Sequence, residues 1–303
     1  MAASDLMIGL SLSGGRVQAI VLDRTETTPV LTAIAEWENT LPLGQDADDG
    51  PGIGRFNEYL SAFLKLHRIK THQVAVTIDT GYLFLLPVPL DQPIPQAEEQ
   101  AHLVWELEQY FPGSAPEEFL TAIHTIERPQ ANAPSPVVHH LSVSIRRHDA
   151  VLIERLAAQH GLRMTILDAD QFSAETALQA NYPDSSRRHL ALVGIKPGRL
   201  DVSRIRYGVL EEYRYYLVEE GNSVLSVFAA LTRDLTGIES ITTYGPHLDR
   251  DLLSDIRRAS PMLVEALNPL RHVNVSETLR VAENLRSPTY RFASAIGVAL
   301  RKD

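Results

Sequence analysis

Two short glycine turns hold the residues best placed to meet an anion. They are Ser11-Leu12-Ser13-Gly14-Gly15-Arg16 and Gly194-Ile195-Lys196-Pro197-Gly198-Arg199. A glycine turn lets backbone N–H groups come close to a phosphate. Any pair of β-hairpins offers as much, so the turns alone name no ligand. The other groupings fail their own geometric requirements. Gly9-Leu10-Ser11-Leu12-Ser13 opens like a hydrolase nucleophile elbow but lacks the closing glycine, and its context is strand–turn–strand. Asp46, Asp48 and Asp49 suggest a calcium loop, yet Pro51 and Asn57 stand where an EF-hand needs its glycine and its last glutamate. His139 and His140 are neighbours on a predicted strand, so they point to opposite faces and cannot chelate one metal. With no HExxH pair either, no metal site is expected. Glu98, Glu99, Glu106 and Glu108 crowd one helix, the first two complementing the dipole at its start. Neither GxGxxG nor GxxxxGK followed by Ser or Thr occurs, and Gly50-Pro51-Gly52-Ile53-Gly54 follows no strand and reads as a flexible loop. Asp168 and Asp170, two apart at a predicted strand end, are able to share a face.

The turns must be held by strands, and the pattern supplies them. Met7 to Asp23 reads as a hairpin around Gly14-Gly15, followed by a strand near Val30 to Glu36. A helix follows from about Arg55 to Leu66, with Phe56, Tyr59, Leu60, Phe63 and Leu64 on one side. Strands are expected at Val74 to Ile78 and Tyr82 to Leu86. The prolines of PVPLDQPIP then mark a boundary, since they suit neither a helix nor a central strand. Gln96 to Tyr110 is a helix with Leu103, Val104, Leu107 and Phe111 as its apolar stripe, stopped by Pro112-Gly113. Phe119 to Ile126 and Val137 to Ile145 read as strands, and Asp149 as the cap of a helix ending near Gly161. HLALVGIKPGRLDVSRIRYG repeats strand, glycine turn, strand, and its Pro197-Gly198-Arg199 echoes Gly14-Gly15-Arg16, as a duplicated architecture would. Strands near Glu212 to Val218 and Ser240 to Tyr244 alternate with helices at Asn222 to Leu235, Leu248 to Arg258 and Tyr290 to Arg301. This alternation is an α/β pattern.

At 303 residues the chain is long enough for two cores. A net charge of −10 argues against a nucleic-acid or anionic-lipid partner. With no cysteine, thiol nucleophiles, disulfides, cysteine zinc sites and iron–sulfur clusters are excluded. MAASDLMIGL has no signal-peptide pattern, and GYLFLLPVPL is too short and proline-rich to span a membrane, so a cytoplasmic protein with no direct membrane insertion is expected.

The order of segments resembles the PilM family of type IV pilus assembly, actin-like proteins related to FtsA. IGLSLSGGRVQAIVLD stands where that family has its first phosphate hairpin, and LALVGIKPGRLDVSRIRYG where it has its second. LPVPLDQPIPQAEEQAHLVWELEQYFPGSAPEEF resembles its acidic helix and the stretch that follows. GLRMTILDADQFSAETAL resembles its connecting strand and helix, ITTYGPHLDRDLLSDI its adenosine contact, and LNPLRHVNV and YRFASAIGVALR its late turn and closing helix. The resemblance implies a two-lobed actin-like α/β fold. Residues 1–83 and 166–188 would form the first lobe, 84–165 an inserted small module, and 189–303 the second lobe, whose terminal helix packs back between the lobes.

Against that family the nucleotide positions are degenerate. Ser11, Ser13 and Gln18 replace an acid, a glycine and a lysine of the first hairpin. Gly194, Ile195 and Lys196 replace the family's Asp-Ile-Gly in the second, ahead of the Gly198 turn. Gly245 is followed by Pro246 where paired glycines are usual, which removes an N–H donor. Serine can hydrogen-bond but supplies no charge for magnesium, and phosphoryl transfer depends on positioning and charge neutralisation. The expectation is a pseudo-ATPase with no catalytic residue and no cofactor, Lys196 being able at most to hold a phosphate. The family implies a partner, the cytoplasmic tail of a PilN-like inner-membrane protein, besides other pilus assembly proteins. The chain would then lie beside the inner membrane through that partner. Phe84, Leu86, Trp105 and Tyr110 are the expected wall of the tail groove between first lobe and inserted module. The alternatives are an ATPase whose metal is held by Asp168, Asp170 or Asp201, and a GspL-like secretion domain. Self-association is open to any actin-like fold.

Overall fold

In the computed structural model, residues 5–45, 50–90, 95–113, 115–127, 138–281 and 288–301 are described. The chain opens on β1 (Leu6–Ser13) and β2 (Arg16–Asp23), paired antiparallel from Leu6↔Asp23 to Ser13↔Arg16. Gly14 and Gly15 take φ of +60° and +70°, the left-handed pair that a two-residue hairpin turn requires. β3 (Val30–Glu38), α1 (Pro51–Leu66), β4 (Gln73–Ile78), β5 (Phe84–Leu90), α2 (Gln96–Tyr110), β6 (Phe119–Glu127) and β7 (Val138–Arg146) follow. Next come α3 (Arg147–Gln159), β8 (Arg163–Ala169) and α4 (Asp170–Asn181). The second half holds β9 (His189–Lys196), β10 (Arg199–Arg206), β11 (Val209–Leu217), α5 (Val224–Asp234), β12 (Ser240–Tyr244) and α6 (Arg250–Ala259). β13 (Leu263–Ala266), β14 (Asn274–Val275), α7 (Glu277–Val281) and α8 (Ala293–Leu300) complete it.

Three sheets result. The first has order β14-β3-β2-β1-β4-β8, the second β11-β10-β9-β12-β13, and the third β5-β7-β6. The run β3-β2-β1-β4-β8 has the topology of β11-β10-β9-β12-β13. Each is an antiparallel three-strand meander whose first strand pairs parallel with the next strand over. The echo between the two glycine turns is thus part of a duplicated architecture. The central strands are buried along nearly their whole length, because helices cover both faces. On the outer face of the first sheet, Leu10, Leu12 and Val17 pack on Phe56, Leu60 and Phe63 of α1 and on Leu152 and Leu156 of α3. Its inner face packs Ile20, Leu22 and Ile34 against Ala295, Ile296 and Ala299 of α8. The second sheet meets Phe228, Leu231 and Ile256 of α5 and α6 outside, and Ala174, Ala177 and Leu178 of α4 inside. α4 and α8 therefore lie side by side between the two sheets.

Several local expectations change. Gly50–Gly54 is no loop: Gly50 caps α1, Pro51 takes its first turn, where its missing N–H costs nothing, and Gly52–Gly54 are helical. Asp149 is no N-cap; it lies in the first turn of α3 and accepts from the Gly44 N–H at 3.0 Å. The prolines Pro87 and Pro89 lie inside β5. They are tolerated because β5 pairs with β7 alone and is an edge strand. The third sheet and α2 span residues 84–146, whereas α3, expected within the inserted module, joins the first core, and β8, which straddles the expected boundary at 165, joins the first sheet. Likewise β14 pairs with β3, so the end of the chain returns to the first lobe. Asp46, Asp48 and Asp49 lie outside the described residues. Among the described residues, no helix is long and apolar enough to cross a membrane.

Candidate functional site

The duplicated hairpins bring their tips into contact. A Cβ on Gly14 would lie 2.9 Å from the Pro197 ring and 3.0 Å from the His247 imidazole, whose Nε2 is 2.8 Å from the Gly14 carbonyl oxygen. Directly beneath is a buried cluster of charges. Asp79 follows β4 and Asp170 opens α4, both on the first lobe; Lys196 ends β9 and Asp201 lies in β10, both on the second. Carboxylate oxygens of Asp79, Asp170 and Asp201 all lie within 4.8 Å of one another. The Lys196 ammonium sits among them, with Nζ 3.2 Å from Asp79 Oδ1, 2.7 Å from Asp170 Oδ1 and 2.5 Å from Asp201 Oδ2. It also donates to Thr80 Oγ1 at 2.7 Å. Arg199 adds a second cation, 3.0 Å from Asp79 Oδ1 and 3.0 Å from Asp201 Oδ1, and donates to Thr80 Oγ1. Ser13 Oγ donates to Asp170 Oδ2 at 2.7 Å, and the Gly14 and Gly81 N–H groups donate to Asp79. Tyr213 OH donates to Asp201 Oδ1 at 2.8 Å.

The electrostatics follow from this packing. Burial pushes Asp79 up, but Lys196, the Gly81 N–H, Arg199 and the Gly14 N–H outweigh it and leave its pKa at about 2. Asp201 is likewise held low by Lys196 and Arg199 against its burial. Burial lifts Asp170 to about 6 against the pull of Lys196, with Asp79 and Asp201 pushing it further up. Burial works to lower Lys196, and the three carboxylates more than reverse it, so the ammonium stays charged.

The family resemblance implies a magnesium nucleotide in this cleft, and the residues present do not fit one. Magnesium needs near-octahedral oxygen ligands at about 2.0–2.1 Å. Here the converging oxygens are already shared among the N–H groups of Lys196 and Arg199. Ser11 is buried and brings no charge. A side chain at Gly194 would begin 2.8 Å from both Gln171 Oε1 and Tyr244 OH, which hydrogen-bond each other at 2.7 Å and fill the place an acid would need. Gln18 is buried and donates to Glu36 Oε1 at 3.1 Å, away from the cleft. Gly245 packs against the Ile195 carbonyl, and the Pro246 carbonyl is taken by Arg291 Nε at 3.0 Å. Gly15 and Gly198 do line the cleft mouth, a cavity of about 370 Å³ bounded also by Tyr82 and Leu217. Lys196 also lines this cavity, but its ammonium is 2% exposed and engaged by Asp79, Asp170 and Asp201.

Of the acids expected for a metal, Asp170 and Asp201 are in the cluster and Asp168 is not. Its carboxylate pairs with Arg301 at 2.8 Å and accepts from Ser173 Oγ at 2.6 Å. The strand ends at Ala169, so Asp170 turns into a helix and the two acids part. Sequence reasoning missed Asp79 and Thr80, and had Arg199 only as part of the second glycine turn. An acid directly after the apolar strand Val74–Ile78, followed by Thr-Gly, was the available signal.

Among the described residues a groove lies between the third sheet and the first lobe, and its lining includes none of Phe84, Leu86, Trp105 and Tyr110. Its cavity of about 310 Å³ is lined by Leu83, Leu120, Ile123, His124, Leu167 and Phe172, with Asp168 and Arg301 also in its wall. Phe84 instead packs on Tyr110 and Phe111 with ring centroids 5.1 and 4.9 Å away, and Leu86 joins Val88 and Leu103 in the core of the small module. Trp105 is half exposed and stacks on His102. Their apolar character did not fix the face on which a cleft would open: Leu86 is buried, whereas Trp105 and Tyr110 are exposed. Groove and cluster share a wall: Tyr213 sets its ring against Phe172, which stacks on His124 at 5.1 Å.

By sequence the chain matches no protein-family model and no curated protein. By structure it is similar to a chain of a PilM–PilN type IV pilus biogenesis complex, with a TM-score of 0.77 and 17% identity, covering 99% of this chain and 98% of that one. A Bacteroides thetaiotaomicron protein with an actin-like ATPase fold and unknown function gives 0.51 at 11% identity, covering 89% and 93%. The ethanolamine utilization protein EutJ from Carboxydothermus hydrogenoformans gives 0.50 at 12%, covering 97% and 89%. The fold is therefore actin-like and, end to end, PilM-like.

Proposed function

We propose that this chain is a non-catalytic actin-like scaffold of a type IV pilus or related assembly. It would bind the cytoplasmic tail of a PilN-like inner-membrane protein and be held at that membrane through it. The observation that carries the reading is the Lys196 ammonium seated among Asp79, Asp170 and Asp201, where a nucleotide-dependent member would need its metal charge. The likeness to a chain of a PilM–PilN complex supports the choice of partner. The groove beside β6 supports the place. β6 is one of the two edge strands of the order β5-β7-β6 and runs beside β11, so an extended tail would add along its edge and meet apolar side chains at Leu120, Ile123 and Phe172.

The test is fluorescence anisotropy with a labelled peptide of a PilN-like tail. Ile123→Asp in the groove weakens binding at least tenfold, because it puts a charge into an apolar contact. Trp105→Asp, on the exposed face of α2, leaves it unchanged. Binding indifferent to Ile123→Asp overturns the placement. Saturable, magnesium-dependent ATP turnover by the wild type overturns the non-catalytic reading.

A further inference from the structure

Two cations of the chain, Lys196 and Arg199, stand among the three carboxylates of the cleft. We propose that Lys196 is a built-in counter-cation that latches the two lobes shut at the hairpin side, so that closure needs no ligand. Lys196 and Asp201 ride on the second sheet, Asp79, Thr80 and Asp170 on the ends of the first. The contacts Lys196–Asp79, Lys196–Asp170, Thr80–Asp201 and Arg199–Asp79 therefore all run from lobe to lobe. Three carboxylates packed this closely and buried cannot all stay ionised without a cation between them. A metal–phosphate group supplying that charge would come and go; a lysine on β9 is always present. The contact of Gly14 with Pro197 and His247 closes the same side over the latch. This goes beyond the scaffold reading and does not depend on the tail groove.

Thermal unfolding of wild type, Lys196→Ala, Asp170→Asn and the double variant tests it, together with hydrogen exchange at the hairpin tips. Lys196→Ala loses several degrees of Tm and exchanges faster at Gly14–Gly15 and Gly198, while the strand interiors of both sheets stay protected. In that background Asp170→Asn regains Tm, because it removes the carboxylate left with no cation against it. In wild type the same change brings no comparable gain, and that coupling is what charge compensation demands. Millimolar Mg²⁺ or Mn²⁺ leaves the wild-type Tm unchanged, the place being taken. Additive effects of the two substitutions, unchanged exchange at the tips, or a metal-induced rise in wild-type Tm would each overturn the latch. Where Lys196→Ala does not fold, Lys196→Met keeps most of the stem volume and carries the same expectation. Tail-peptide binding, measured separately on Ile123→Asp, fails or succeeds without touching this result.

Discussion

Glu175 shows how a single buried side chain adds to the pH response of the protein. It is buried on α4 and accepts a hydrogen bond from Ser203 Oγ, which in turn accepts one from Gln171 Nε2 at 2.9 Å. Burial lifts its pKa from 4.5 to about 8, the Ser203 hydrogen bond opposing and Asp168 adding to the rise. The folded state thus holds this proton more tightly than the unfolded chain does. Its contribution is full below about pH 4.5 and is lost as pH rises through about 8, with a slope of at most about 1.4 kcal/mol per pH unit. Glu175→Gln should flatten that part of the stability–pH curve and be more stable than wild type at pH 8, by urea titration at a series of pH values. At this scale the sequence was half legible. The missing acids at Ser11 and Gly194 stood out in a single strand each. The cluster that answers them did not, because Asp79, Asp170, Lys196 and Asp201 come from four separate elements.

Among the elements, α4 and α8 decide how closely the lobes meet. A Cβ on Gly297 would lie 1.7 Å from the Ser173 carbonyl oxygen, so the helices cross backbone to backbone. Gly9 repeats the device one layer out, where a Cβ would lie 2.2 Å from Ala295 O. Gly297→Ala should cost about 1–3 kcal/mol or more by overpacking, seen as a lower urea midpoint at unchanged slope. The amphipathic helices α1 and α2 and the two glycine hairpins were readable from period and turn chemistry, and α2 falls on its expected residues. What period could not give was context. Pro87 and Pro89 mark a boundary only if β5 has neighbours on both sides, and β13 and β14, at four and two residues, are too short to show a pattern.

Over the whole molecule, two copies of one sheet topology face each other across α4 and α8, clamped at one rim by the ion cluster. A cleft latched by Lys196, as proposed above, would leave no closure for a nucleotide to drive. The radius of gyration in small-angle scattering should be about 19 Å, the value for a compact chain of this length. It should not fall when Mg–ATP is added, and the unfolding temperature should not rise. A ligand at 100 times its dissociation constant would add about 2.7 kcal/mol, so any binding would be plain. The duplicated halves were legible from two glycine turns; the pairing of β14 with β3 was not, since it joins residues more than 200 positions apart.

The return of α8 to the first sheet also sets an order of assembly. Ile20, Leu22, Leu31 and Ile34 leave the ribosome more than 250 residues before Phe292, Ala295, Ile296 and Ala299, which cover them. Until those residues are made, the first lobe carries an uncovered apolar face. Chaperones have the longest opportunity to act there, and a chain stalled before residue 293 has a ready surface for aggregation.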